Sequence, residues 1–71
     1  MRIGLVVVDH GSRRAESNAM HEQLVAMVAD TVSYEIVEPA HMEIAEPSIG
    51  TAFGRCVAAG AKLVVVSPYF L

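Results

Sequence analysis

Side chains that could bind a metal ion or transfer a proton follow directly after the first apolar run of the sequence. Asp9 and His10 come immediately after Val8. An imidazole titrates near neutral pH, so His10 could be a metal ligand or a general base, or it could only hydrogen-bond the following loop. Asp9 could orient His10 or reach the same metal, or it could form an Asx turn. We predict that His10 is functional because it lies between a strand and a glycine.

The next four residues could contact a ligand through the backbone or through positive charge. Gly11 allows either a close approach of the backbone to a ligand or a sharp turn. Ser12 could donate a hydrogen bond to a ligand, although capping of the next helix is the expected role. Arg13 and Arg14 could bind carboxylates or phosphates, and we expect at least one of them to be merely exposed.

A second polar cluster lies between residues 38 and 46, where imidazole and carboxylate groups alternate with apolar residues. Its members are Glu38, His41, Glu43 and Glu46. Such donors suit a divalent metal, but the spacing of His41 and Glu43 is no recognised ligand motif. Glu46 could contact a substrate, or it could only favour the start of a helix at Pro47.

Two further reactive residue types are predicted to have structural roles. His21 lies in the middle of a predicted helix, beside its apolar stripe, and is expected at the surface or at its boundary. Cys56 lies on the predicted buried face of another helix and is expected in the core.

The first half of the chain alternates between strand and helix patterns. Residues 3–8 are almost wholly β-branched or apolar, which indicates a strand buried on both faces. Residues 16–32 form a helical pattern with a single apolar stripe. The predicted stripe consists of Met20, Leu24, Met27, Val28 and Val32. A short strand over residues 34–37 is predicted to end at Pro39.

The second half repeats this alternation. A helix is predicted to start at Pro47 or Ser48, because proline is tolerated in the first turn. Its predicted buried face consists of Ile49, Phe53, Cys56 and Val57. Gly60 lies where a helix end requires a positive φ. Residues 62–66 resemble the first strand, and residues 67–68 are predicted to stop it.

The predicted order is therefore β-α-β-α-β, which favours an α/β fold with an open parallel sheet between layers of helices. Ligands of such sheets bind outside the carboxyl ends of the strands. Residues 9–14, 38–46 and 67–71 fall at that edge. Both polar clusters are thus predicted to meet there, which is the main argument for a site.

Composition limits the remaining possibilities. The 71 residues permit one domain, residues 1–71, and 54% hydrophobic residues with a net charge of −3 exclude a disordered tail. Five scattered basic residues form no basic stripe, so we expect no nucleic-acid partner. Apolar runs of about five residues are far shorter than the ~20 that span a membrane. One cysteine requires no oxidising compartment, and a cytoplasmic protein is expected.

Three segments in order resemble the sirohydrochlorin chelatases, the class II chelatases with cobalt or iron activity. They are VDHGSRR at residues 8–14, VEPAHMEIAEPSI at 37–49 and VVVSPYFL at 64–71. The first segment is moderately specific alone, and the three together are strongly specific. The whole chain is similar to the N-terminal portion of the family, with the longer iron-inserting plant and cyanobacterial members most alike.

The resemblance implies a three-layer α/β/α fold and insertion of Fe²⁺ or Co²⁺ into sirohydrochlorin, on the way to siroheme or cobalamin. It implies that His10 binds the metal and helps to take up pyrrole protons, for which Glu43 is a second candidate. The expected substrate-binding residues are Gly11, Ser12, Arg13, Arg14, His41 and Glu46. Sirohydrochlorin carries many carboxylates, so Arg13 or Arg14 would have a partner. The metal is a substrate, and no organic cofactor is implied.

The resemblance also raises the question of completeness. The family's second metal-binding histidine normally lies a few residues beyond the Pro-Tyr-Phe-Leu segment, where this sequence stops. We therefore expect an incomplete domain that is completed by a further C-terminal segment or by a second copy in a homodimer.

Two other functions remain open from the residues. A truncated chain could bind metal or tetrapyrrole without turnover, which a comparison of metal binding with metal insertion would reveal. A strand followed by His-Gly also occurs in histidine phosphatases, where an arginine precedes the histidine. Here Asp9 precedes it and would repel phosphate.

Overall fold

The first apolar run forms the central strand of a three-stranded parallel sheet. The computed structural model describes residues 1–69. Its elements are β1 (Ile3–Asp9), α1 (Ala15–Ala29), β2 (Ile36–His41), α2 (Ile49–Ala58) and β3 (Leu63–Pro68). The strand order is β2-β1-β3, and both neighbours run parallel to β1. The predicted β-α-β-α-β order and open parallel sheet are confirmed.

Burial of β1 on both faces explains its unbroken apolar sequence. Leu5 and Val7 pack with Val25 of α1, whereas Val6 and Val8 belong to a second cluster that includes Cys56 of α2. Successive side chains of a strand point to opposite faces, so α1 and α2 cover opposite faces of the sheet. The result is a three-layer arrangement in which the middle of β1 is buried on both faces and, within residues 1–69, β2 and β3 lie at the edges of the sheet. Within residues 1–69, no helix has the length and apolar character needed to cross a membrane.

The predicted end of β2 at Pro39 is wrong, because the strand continues to His41. Within residues 1–69, β2 is an edge strand: β1 is its partner strand in the sheet, and its outer side carries an isolated bridge between His41 and Ser48. An edge strand tolerates proline, since one of its sides carries no ladder of hydrogen bonds. The consequence is functional: His41 is the last residue of a strand and is fully buried, rather than part of a connecting loop.

The predicted buried stripe of α1 is wrong for Met20 and Met27, and the predicted end of the helix at Val32 is wrong as well. Met20 and Met27 are 69% and 65% exposed, whereas the buried residues of α1 are His21 and Val25. The sequence carries two adjacent apolar stripes, and periodicity alone does not tell which one faces the sheet. The stripe that faces the sheet is the narrower one, which contains His21 and Val25.

Small side chains, rather than Phe53, form the contact between α2 and the sheet. Ala52 and Cys56 are fully buried, while Phe53 and Val57 are about half exposed. A Cβ at Gly4 of β1 would lie 2.8 Å from the Cys56 Sγ atom, which shows how closely the helix approaches. The predicted burial is thus confirmed for Cys56 and wrong for the two larger residues.

The end of α2 follows the prediction, but β3 extends further than expected. Gly60 has a φ of +100° just after the helix. β3 runs to Pro68, past the predicted stop at Ser67, and Pro68 pairs with Val8. β3 is the second edge strand, and its apolar side chains are largely exposed.

Candidate functional site

The loops after β1 and β2 are joined by backbone hydrogen bonds at the carboxyl edge of the sheet. The Met42 N–H donates to the Asp9 carbonyl at 2.7 Å, and the Glu43 N–H donates to the His10 carbonyl at 3.2 Å. These bonds continue the β1–β2 ladder beyond the strands. His10 and Glu43 are therefore neighbours, and both side chains are exposed.

Gly11 is required for this close contact of the two loops. Its φ is +88°, which residues with a Cβ rarely adopt. A Cβ at this position would also collide with the Glu43 carbonyl oxygen. The sequence left a ligand approach and a turn as alternatives, and the structure shows a turn that packs against the second loop.

Asn18 of α1 holds the middle of the first loop. Its side-chain oxygen accepts from the Ser12 N–H at 2.9 Å, and its side-chain nitrogen donates to the Ser12 carbonyl at 2.8 Å. The Ser12 Oγ accepts from the Arg14 N–H at 3.0 Å. The expected capping of α1 by Ser12 is wrong, because Arg14 occupies the N-cap position.

Arg13 and Arg14 lie at the rim of this edge with exposed side chains. Among residues 1–69, neither guanidinium takes part in a salt bridge. Both are consequently available to an anionic group that approaches the carboxyl edge of the sheet.

The Asp9 carboxylate lies between two buried histidines on the α1 face of the sheet. Its Oδ1 is 2.6 Å from Nδ1 of His41, and its Oδ2 is 3.6 Å from Nδ1 of His21. The two imidazole rings are 5.4 Å apart between centroids. Glu22 adds a weaker contact, at 3.5 Å from Nε2 of His41.

The hydrogen-bond partners of these rings determine where protons reside. His21 Nε2 is 3.0 Å from the Val7 carbonyl oxygen, which can only accept, so this nitrogen donates. An ionised carboxylate likewise only accepts, so His41 Nδ1 donates to Asp9. The side chains are thereby fixed in orientation, and no buried side-chain nitrogen or oxygen of the described residues lacks a partner.

Sequence reasoning missed His21 and misplaced His41. His21 was expected at the surface or at its boundary, but only 6% of it is exposed, and it contacts both β1 and Asp9. His41 was expected to line the pocket, yet its side chain has no exposed surface. The available signal was the spacing of His21 and Val25, which marks a second stripe of α1. The expected substrate contact of His41 does not fit a ring that lies beneath the site.

Alternation along β2 separates Glu38 from the rest of its predicted cluster. Side chains two residues apart share a face, so His41 lies on the α1 face and Glu38 on the α2 face. Glu38 is 4.0 Å from Arg55 of α2. It is therefore not part of the group around Asp9.

Glu46 stabilises the start of α2. Its Oε1 accepts from the Ser48 N–H at 3.0 Å and from the Thr51 hydroxyl at 2.9 Å. These two hydrogen bonds lower the pKa of the Glu46 carboxyl below its ordinary value. Ser48 caps the helix through the Thr51 N–H. A contact of Glu46 with substrate stays a prediction and would use its other oxygen.

Cys56 has the expected place in the core. The residue is fully buried against β1, and burial raises the pKa of its thiol. A thiol held protonated in this way is a poor nucleophile and a poor metal ligand.

An apolar groove opens beside the buried histidines. It has a volume of about 560 Å³, and its walls are formed mainly by the exposed stripe of α1. The residues that line it are Asp9, Met20, His21, Gln23, Leu24, Met27 and Tyr69. Tyr69 follows β3, and its N–H donates to the Val8 carbonyl at 2.6 Å. Phe70 and Leu71, the end of the predicted Pro-Tyr-Phe-Leu segment, lie outside the described residues.

The part of the chain described here contains no group of three or more histidine, cysteine or acidic residues placed to hold a metal ion. His10 and Glu43 could supply two ligands at most. A metal held there would need further ligands from water, from a substrate or from another part of the protein.

Comparison with known proteins identifies relatives over almost the whole chain. The family model described as CbiX matches residues 4–71. Sirohydrochlorin ferrochelatase, chloroplastic, from Arabidopsis thaliana is 63% identical over 68 residues, which are 96% of this chain and 30% of that protein. Sirohydrochlorin cobaltochelatase from Methanococcus maripaludis is 39% identical over 67 residues, 94% of this chain and 46% of that protein.

Solved structures agree with the fold. SirB from Bacillus subtilis with Fe³⁺ matches with a TM-score of 0.92 at 30% identity, over all of this chain and 28% of that one. The CbiX protein from Marinobacter aquaeolei matches with a TM-score of 0.81 at 30% identity, over 99% of this chain and 56% of that one. The chain thus spans from less than a third to somewhat more than half of the length of these relatives.

Proposed function

This chain belongs to the CbiX family, and from that premise we propose that it forms part of an enzyme that inserts a divalent metal ion, Fe²⁺ or Co²⁺, into sirohydrochlorin. The proposal rests mainly on one observation. At the carboxyl edge of the sheet the Glu43 N–H donates a hydrogen bond to the His10 carbonyl, which makes these two residues neighbours. The names of the relatives from Arabidopsis thaliana and Methanococcus maripaludis supply the substrate.

In the proposed reaction the metal ion replaces two pyrrole protons of the tetrapyrrole. His10 binds the ion through a neutral imidazole, which holds it loosely enough to release it to the macrocycle. Glu43, an exposed carboxylate beside His10, accepts one of the two protons that leave the pyrrole nitrogens, and His10 accepts the other once it has released the ion. The reaction requires no organic cofactor, since the metal and the tetrapyrrole are both substrates.

The remaining residues of the first loop hold the substrate. Arg13 and Arg14 bind carboxylates of the tetrapyrrole through their exposed guanidinium groups. Gly11 and Ser12 supply the backbone between them and His10. Glu46 reaches the substrate only through Oε2, since Oε1 is bound at the start of α2.

The proposal is tested by measuring cobalt binding and metal insertion for the His10→Ala variant. We expect the affinity for Co²⁺ to fall more than tenfold and insertion to be lost, because a principal ligand is removed, while the circular dichroism spectrum stays unchanged. Lys62→Ala, an exposed residue before β3, is the control and should leave both properties unchanged. Unchanged Co²⁺ affinity in His10→Ala would remove His10 from the site.

A second candidate function is binding of metal or tetrapyrrole without turnover. It is favoured by the small number of metal ligands that residues 1–69 bring together. A chain that binds Co²⁺ at His10 but never forms the metallated product would support it. Because the chain belongs to the CbiX family, metal insertion is favoured over the histidine phosphatase activity considered from the sequence.

The proposal also concerns which metal ion is inserted and in which cellular compartment the chain acts. The relatives include an iron enzyme and a cobalt enzyme, and ligand type alone rarely sets metal selectivity. Competition between Fe²⁺ and Co²⁺ during insertion would decide between them. We propose a reducing compartment such as the cytoplasm on the basis of the single buried thiol, although the Arabidopsis thaliana relative is named as chloroplastic.

A further inference from the structure

The buried His41 ring connects the two loops that carry the proposed catalytic groups. Its Nδ1 donates to Oδ1 of Asp9 at 2.6 Å, next to His10 in the chain. Its backbone N–H donates to the Pro47 carbonyl at 2.8 Å, which closes the loop that carries Glu43. One residue thus contacts both sides of the candidate site without reaching its surface.

The Asp9 carboxylate links the His41 ring to the backbone around His10. The same Oδ1 accepts from the Gly11 N–H at 3.0 Å, so the carboxylate bridges His41 and the peptide that follows His10. The carbonyls of Asp9 and His10 are held by the second loop. The backbone of His10 is therefore fixed on both sides.

His21 packs beside the other oxygen of the carboxylate. Its Nδ1 is 3.6 Å from Oδ2, and its Nε2 donates to the Val7 carbonyl of β1 at 3.0 Å. The ring is thus tied to the rigid central strand. Rotation of the Asp9 side chain would break contacts with both histidines and with Gly11.

We propose that His41 is a positioning residue that, through Asp9, sets the place of His10 relative to Glu43. The inference rests on the proposed function, because it assumes that His10 and Glu43 act on one metal ion. Groups that orient a metal ligand in this way typically contribute a factor of about 10 to 100 in metal affinity. A residue that merely filled space would need the volume of imidazole but not a donor at Nδ1.

The test compares two polar substitutions that differ in the position of the donor. In His41→Asn the amide nitrogen can take the place of Nδ1 and donate to Asp9. In His41→Gln the amide nitrogen lies further out, near the place of Nε2, and the contact is lost. His41→Leu removes the donor altogether. Ser48→Ala, which removes the cap of α2, is the control for loss of stability without loss of the Asp9 contact.

Two readouts are measured for each folded variant: Co²⁺ affinity by titration, and the hydrogen exchange rate of the Gly11 amide. We expect His41→Gln and His41→Leu to lower Co²⁺ affinity about tenfold and to speed Gly11 exchange about tenfold. His41→Asn should stay within about threefold of the unmodified chain in both. Ser48→Ala should lower the unfolding temperature but leave both readouts unchanged.

The outcomes separate this inference from the proposed function. If His10→Ala weakens Co²⁺ binding but His41→Gln does not, the positioning role is wrong and the metal site stands. If His10→Ala leaves Co²⁺ affinity unchanged while the His41 substitutions speed Gly11 exchange as expected, His10 is not a metal ligand. In that case His41 still restrains the loop after β1. If His41→Asn loses as much Co²⁺ affinity as His41→Leu, the donor at Nδ1 does not matter for the metal site, and the inference is overturned.

Discussion

At the scale of single residues, the site depends on positions where only one residue type fits. Asp9 is the clearest case, because one of its oxygens serves both Gly11 and His41 while the other faces His21. The sequence left three roles open for Asp9, to orient His10, to reach a metal or to form an Asx turn, and the Gly11 N–H bond to its side chain is that of an Asx turn. The two histidine partners of Asp9 come from distant parts of the chain, and only folding brings them together.

Gly11→Ala is expected to displace the Glu43 loop. The positive φ costs a residue with a Cβ about 1–2 kcal/mol, and the new methyl group would collide with the Glu43 carbonyl. We expect the free energy of unfolding to fall by at least about 2 kcal/mol and Co²⁺ binding to weaken. Urea unfolding and Co²⁺ titration measure the two effects.

Gly54→Ala is the matched control for this substitution. Gly54 lies in α2, and a Cβ there would meet no atom within 4 Å. In a helix this change should be neutral or stabilising. If Gly11→Ala behaved like Gly54→Ala, the close packing of the two loops would be disproved.

At the scale of the elements, small residues and caps decide how the helices meet the sheet. Gly4 lets α2 approach β1 through Cys56, and Ser48 with Glu46 begins the same helix. β2 extends through Pro39 because it lies at the edge of the sheet. Each of these features depends on what lies beside the element, and not only on its own sequence.

The cap of α2 should make stability depend on pH. The pKa of Glu46 is lower in the folded chain than its ordinary value of 4.5. The ionised group therefore contributes stability above pH 4.5, and this contribution is lost as the pH falls through the lowered pKa of the folded state. Urea unfolding measures the free energy of unfolding of the unmodified chain and of Glu46→Gln at a series of pH values. The loss of stability that follows from protonation of Glu46 should appear in the unmodified chain and be absent from Glu46→Gln.

Glu35→Gln is the control for the cap, since Glu35 forms an exposed ion pair with Arg2, which lies beside Gly60 after the end of α2 and not at the start of the helix. It should leave the contribution of Glu46 in place. Identical pH profiles for Glu46→Gln and the unmodified chain would show that the carboxylate does not stabilise the helix start.

At the scale of the whole molecule, several large apolar side chains stay exposed on one edge strand and on one helix. β3 is an edge strand on which Leu63, Val65 and Val66 are exposed, and Met20 and Met27 add the outer stripe of α1. Exposed apolar surface of this extent marks an interface in a stable protein. The relatives extend well beyond the region that matches this chain.

We therefore predict that the 71-residue chain is not a folded monomer in isolation. A second copy in a homodimer, or further residues of a longer protein, would cover β3 and add metal ligands. Sedimentation at micromolar concentration should show a dimer or larger species, and Val65→Lys should weaken association by placing a charge on the exposed strand. A monomer that unfolds cooperatively at that concentration would show the prediction wrong.

The sequence by itself determined the order of the elements, the parallel sheet and the edge at which His10 and Glu43 meet. Buried strands have continuous apolar runs, and parallel strands bring their carboxyl ends to one edge, so these features are local patterns or follow directly from them. The family resemblance carried by residues 8–14, 37–49 and 64–71 was readable for the same reason.

Only the tertiary structure decided which face of each helix is buried and which histidines approach Asp9. Both depend on how α1 is rotated and placed on the sheet, and residues 24–29 of α1 are all apolar, which left that choice open in the sequence. The packing of α1 onto the sheet buried His21 and Val25 and left Met20 and Met27 exposed. The extension of β2 then brought His41 to the other side of the same carboxylate, 32 residues away in the chain.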